Sequence, residues 1–104
     1  MDDQKFQKKS EEALQSLFDA LTEADFEADF NSGALTVDFE QPKTRFVVSP
    51  NSPVHQIWIS ANIKSFKLDW DEARQEFVLP ATGQSLKQVM EEQIATLIGD
   101  EVEL

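Results

Sequence analysis

Five carboxylates crowd a segment of eleven residues, Asp19, Glu23, Asp25, Glu27 and Asp29. The last three recur at every second position, which on a strand sets them on one face, roughly 6.6 Å apart. Glu12, Asp19 and Glu23 follow one another by seven and four, so on a helix they stack along one exposed line. Asp38 and Glu40 can flank the row from a neighbouring strand. Like charges this close repel, and a purely structural surface would dilute them with lysine. Oxygen ligands at many positions suit a hard cation, bound weakly because nothing in the spacing closes a cage. A plainer account is a charged edge strand that resists aggregation.

A second candidate lies in "SPVHQIWISA", Ser52–Ala61. Val, Ile, Trp and Ile after a proline predict a strand. Alternation then places His55, Ile57, Ile59 and Ala61 on one side and Val54, Gln56, Trp58 and Ser60 on the other. The isoleucine side is the one to bury, which leaves Trp58 among polar neighbours. A large flat indole with an N–H to satisfy is suited to anchor a partner. The plainer role is cross-strand packing. Ser49 and Lys67 are expected on the same face.

Other chemistries find little support. The chain has no cysteine and one histidine, so disulfides, thiolate ligands and imidazole-rich metal sites are excluded. His55, on the isoleucine side, is expected to be a satisfied buried or boundary residue rather than a metal ligand. No nucleophile elbow, glycine-rich phosphate loop or zinc spacing is present. A pair of carboxylates for acid–base work is available in any chain this acidic and carries no specificity.

The 104 residues hold 20 acids and 9 bases, a net charge of −11, which argues against nucleic acid as a partner. The charge is uneven: residues 1–40 carry −8, residues 41–70 carry +3, and residues 71–104 carry −6. Acid concentrated at the start points to a cationic partner, either a basic protein or a metal ion. No apolar run is long enough for a membrane span and no signal segment opens the chain, so a cytoplasmic location is expected.

These groups must be carried by a small number of elements. Phe6, Ser10, Ala13, Leu14, Leu17, Leu21 and Ala24 form the apolar stripe of a helix over 3–24, capped by Asp2 or Asp3. Five or six short strands follow within 25–80. "NSG" (Asn31–Gly33) turns the first hairpin, with Leu35, Val37 and Phe39 inward on its second strand. "SPNSP" (Ser49–Pro53) is expected to break the chain before the Trp58 strand. Phe66, Leu68 and Trp70 alternate inward on the next strand, so Trp70 reads as core. Ser85 and Gln88 have capping-box spacing and open a second helix over 85–98, ended by Gly99. The prediction is one α+β domain, 1–104, with two helices covering one face of an antiparallel sheet. The other face stays wet, and Trp58 belongs to it.

Read together, the leading acidic helix, the acidic first strand running into "FNSGALTVDF", "SPVHQIWISA", "FKLDW" and the closing helix after "TGQSL" resemble the frataxin family in its bacterial, CyaY-type form. The most specific pieces are Pro53-x-His55-Gln56-x-Trp58 and Lys67-x-Asp69-Trp70. The resemblance spans nearly the whole chain. It implies a two-layer α/β sandwich and weak binding of Fe²⁺ or Fe³⁺ by an acidic ridge, here Glu12, Asp19, Glu23, Asp25, Glu27 and Asp29. It further implies attachment to the cysteine desulfurase and scaffold protein of iron–sulfur assembly, with no enzymatic role, by a monomer able to form iron-induced oligomers. The partner face it implies is Gln56, Trp58 and Lys67, with Ser49 and Asn51 before them. Lys67 stands where the family often has arginine. Ser49, Pro50 and Asn51 replace its usual asparagine, basic residue and glutamine.

Two other readings compete with an iron-binding regulator or iron donor. One is an acidic protein-interaction adaptor with no metal role. The other is an enzyme, a weak ferroxidase or a carboxylate-based hydrolase.

Overall fold

A computed structural model describes all residues, Met1–Leu104. Helix α1 (Asp3–Glu23) is followed by strands β1 (Glu27–Asn31), β2 (Ala34–Glu40), β3 (Lys43–Asn51), β4 (Gln56–Ala61), β5 (Lys64–Asp71) and β6 (Glu76–Val78), then by helix α2 (Leu86–Ile98). The strands form one six-stranded sheet in the order β1-β2-β3-β4-β5-β6, every pair antiparallel. Such a meander follows when each connection is short and consecutive strands stay neighbours.

Both helices lie on one face, as their single apolar stripes require. Helix α1 buries Phe6, Ser10, Leu14, Leu17 and Leu21, and α2 buries Leu86, Val89, Met90 and Ile94. Against them the sheet sets Leu35, Val37, Phe39, Phe46, Val48, Ile57, Ile59, Ala61, Leu68 and Phe77. Each valine, leucine, isoleucine, phenylalanine or methionine among them contributes on the order of 1.5–3 kcal/mol on leaving water.

The caps follow the sequence closely. The Asp2 carboxylate accepts from the Lys5 N–H at 2.7 Å, and Ser85 and Gln88 make the reciprocal pair of a capping box. Gly99 ends α2 in the left-handed region, at φ 72°. The acidic tail then folds back: the Glu91 carboxylate accepts from the Leu104 N–H at 2.7 Å, and Val102 and Leu104 pack on the core.

Three local expectations need correction. Asp25 is not on a strand; it sits in a left-handed turn at φ 66°, and β1 starts two residues later. "SPNSP" does not break the chain at Ser49. Strand β3 runs through Pro50 to Asn51 because the last β2–β3 pair is Leu35–Val48, so Pro50 lies on a locally open edge where its missing N–H costs no ladder bond. The following strand is shorter than the pattern predicts. Ser52–Val54 is a single 3₁₀ turn, His55 is left-handed at φ 51°, and β4 begins only at Gln56. His55 still lies toward the helices, with its ring 5.2 Å from Phe6 and its Nε2 2.6 Å from an Asp3 carboxylate oxygen.

Trp70 is only partly buried. Its ring packs edge-on against Phe77 at 5.1 Å, under the ammonium groups of Lys5 and Lys9 at 5.9 Å each. The Glu72 carboxylate accepts from Trp70 Nε1 at 2.6 Å and from Lys5 Nζ at 2.9 Å. A lysine, an indole and a carboxylate thus fasten the first turns of α1 to the end of β5. The Lys5 hydrogen bond, with those from Trp70 and Gln75, lowers the Glu72 pKa to about 2.

Candidate functional site: an open sheet face and its acidic margin

The uncovered face is read across the strands from their register. Arg45 on β3 stands opposite Asp38 on β2, Ser49 opposite Trp58 on β4, and Trp58 opposite Lys67 on β5. Trp58 is 37% exposed while its strand neighbours Ile57 and Ile59 are sealed. The face that leaves an indole in solvent is therefore the one that no helix covers.

The indole is held from two sides. Lys67 Nζ lies over the ring, 4.8 Å from its centroid. Trp58 Nε1 donates to the Gln56 side-chain oxygen at 2.9 Å, and the Gln56 amide donates in turn to an Asp69 carboxylate oxygen at 2.9 Å. This chain satisfies the indole N–H without burying it, and a pre-oriented aromatic loses little entropy when a partner covers it. Asn51 stands opposite Gln56 and Ser49 opposite Trp58, so both border the ring from a strand rather than from a loop. Asp69 belongs to the Lys67-x-Asp69-Trp70 motif but not to the partner face expected from the sequence. The two-residue β4–β5 turn, which pairs Ala61 with Lys64, puts it opposite Gln56.

The carboxylates fall into two groups. Glu12, Asp19 and Glu23 lie exposed on α1, along a groove that Glu11, Lys87 and Leu104 also line. Glu27 lines a different groove with Asp38, Glu40, Lys43 and Arg45 at the margin of the open face. Asp29 follows Glu27 by two on β1 and shares that face. Asp25 stands in the turn that joins the groups. The structure therefore brings Glu27, Asp29 and Asp38 together and keeps Asp19 and Glu23 apart from them on the helix layer. No three carboxylates converge on a common point that could hold a metal ion.

Pairing separates these acids further. Asp38 accepts from Arg45 Nε at 2.7 Å, a contact that raises the Arg45 pKa, with Asp29 adding to it through space. Asp19 accepts from Gln15 Nε2 at 3.0 Å, and Glu12 meets Lys9 at 3.8 Å. The side chains of Glu23, Asp25, Glu27 and Asp29 take part in no ion pair or hydrogen bond. Exposed, unpaired carboxylates on an open margin can exchange weakly held cations or meet a basic surface. Nothing in their arrangement activates a nucleophile.

Comparison with known proteins agrees with this architecture. The family model described as a frataxin-like domain matches residues 1–100. The iron-sulfur cluster assembly protein CyaY of Azotobacter vinelandii is 28% identical over 101 residues, covering 95% of this chain and 91% of that protein. The protein of the same name from Dechloromonas aromatica is 32% identical over 76 residues, covering 70% and 71%. The structure of frataxin from Psychromonas ingrahamii superposes with a TM-score of 0.85 at 21% identity, over 99% of this chain and 97% of that one.

Proposed function

The chain belongs to the frataxin-like family, and on that premise we propose that it is an iron-binding regulator or iron donor of iron–sulfur cluster assembly. It acts in the bacterial cytoplasm on the complex of cysteine desulfurase and scaffold protein, and it catalyses no reaction itself. The name shared by its relatives, iron-sulfur cluster assembly protein, supports the process. The observation that carries the reading in this chain is the pairing, on one open face, of unpaired carboxylates Glu27 and Asp29 with an uncovered, oriented Trp58.

The mechanism has two parts. Glu23, Asp25, Glu27 and Asp29, with Asp19 and Glu12 along the helix, gather Fe²⁺ or Fe³⁺ as cargo in exchangeable monodentate or water-mediated contacts. Their summed field also steers the domain onto a basic surface of the desulfurase. Trp58 then docks, with Gln56 and Lys67 holding its ring and Ser49 and Asn51 at its border.

A metal-independent adaptor is the second reading, favoured by the separation of the helix acids from the strand acids. Capture of the chain on immobilised cysteine desulfurase across a salt series tests the first. Retention that falls with salt and is lost in Trp58→Ala supports docking through both features; retention indifferent to both overturns it. Amide signals of residues 19–29 that stay unmoved through an Fe²⁺ titration would leave the adaptor.

A further inference from the structure

The two edges of the sheet are treated differently. Beyond β6 the chain turns back along the edge: Val78 bridges to Ser85, and the Leu79 N–H donates to the Gln84 carbonyl at 2.8 Å. At the other end, β1 pairs with β2 alone. Its two-residue turn, with Ser32 and Gly33 both at positive φ, closes on the Asn31–Ala34 pair. Ladder bonds in such a hairpin fall on alternate residues, Asn31, Asp29 and Glu27, so the N–H and C=O groups of Ala28 and Phe30 point away from the sheet.

The surroundings of that edge select its occupant. Glu27 and Asp29 line its open-face side with unpaired carboxylates, and Asp25 precedes them. On the helix side Phe30 is 45% exposed, its ring 5.1 Å from Phe18. A second copy of this chain is disfavoured, because edge-to-edge pairing would set Glu27 and Asp29 beside their own counterparts. A free edge with apolar groups on one side and anions on the other fits a strand that is apolar on one face and basic on the other.

We propose that β1 is a strand-addition site for an extended basic segment of a partner protein. Two lysines or arginines at i and i+2 face Glu27 and Asp29, while the intervening side chain lies against Ala28 and the next one on that face against Phe30. The proposal rests on the reading that the acidic segment meets a basic partner, and it adds the backbone geometry of that meeting.

The test uses the whole chain and two short capped peptides of one composition. One alternates Lys with Thr and Val; the other groups its lysines together. The alternating peptide is expected to bind at least about tenfold more tightly and to slow hydrogen exchange at the Ala28 and Phe30 amides by about tenfold or more, which corresponds to roughly one good hydrogen bond. Ala28→Pro deletes an outward donor and keeps every charge, and should weaken binding by a similar factor. Thermal unfolding of that variant checks its fold, while the exchange measurement on the unaltered chain stands without it. Equal binding of both peptides with unchanged exchange overturns strand addition and leaves the basic-partner reading standing. Failure of both peptides to bind overturns both.

Discussion

Lys67 and Trp58 face each other on adjacent strands with the ammonium 4.8 Å above the indole ring. The cation occupies one side of the ring, and the Gln56–Asp69 chain fixes its N–H. The face is therefore an aromatic platform bordered by one cation.

Trp58→Ala should leave the fold nearly intact. Losing an exposed cation–π contact and a cross-strand pair costs no more than about 1–2 kcal/mol in chemical denaturation. Binding to the desulfurase–scaffold complex should weaken roughly thirtyfold, as for a central aromatic anchor. A stability loss of several kcal/mol would show instead that the ring belongs to the core.

Glu72 ties stability to pH. Its carboxyl titrates near 2 in the folded chain, held down by Lys5 and then by Trp70, and near the ordinary value when unfolded. The unfolded state therefore takes up its proton first as pH falls. The contribution is full above about pH 4.5 and is lost as pH drops toward 2. Glu72→Gln should flatten the acid limb of the stability curve over that window and leave its neutral-pH shape unchanged. Equilibrium denaturation at a series of pH values checks this.

Metal titration should report two patches. Fe²⁺, or Co²⁺ as a surrogate, is expected to bind weakly, on the order of 10⁻⁴–10⁻³ M, as for sparsely ligated carboxylate sites. Glu27→Gln with Asp29→Asn should remove the amide shifts on β1 and spare those at Asp19 and Glu23. Simultaneous loss of both sets would mean that one site joins them.

The cap of α2 is a local device. Ser85→Ala removes the acceptor of the Gln88 N–H and should cost about 1 kcal/mol in thermal or denaturant unfolding. The effect on binding at the open face should be negligible, because α2 lies on the other layer.

Periodicity was enough to read the two helices, their caps, the strand alternation and the one-sided layering. Each of these depends on neighbours within a turn or a hairpin. The left-handed turn at Asp25 escaped that reading because "DFEADF" alternates as a strand would. What stops the strand is the return from α1, where the Phe26 N–H donates to the Leu21 carbonyl. The course of β3 through Pro50 escaped it too, since a proline signals a break unless the neighbouring strand is known to have ended.

The acidic residues and Trp58 were legible as residue types; their grouping was not. Local spacing fixes which side of its own element each side chain occupies, through the 3.6- and 2-residue periods. It carries no information on how α1 is oriented over the sheet. Packing of Phe6, Leu14, Leu17 and Leu21 against the strands sets that orientation. It leaves Asp19 and Glu23 on the helix layer and Glu27 and Asp29 at the sheet margin, while the β4–β5 register sets Asp69 opposite Gln56. Which charges stand together is a consequence of burial by residues far away in the chain.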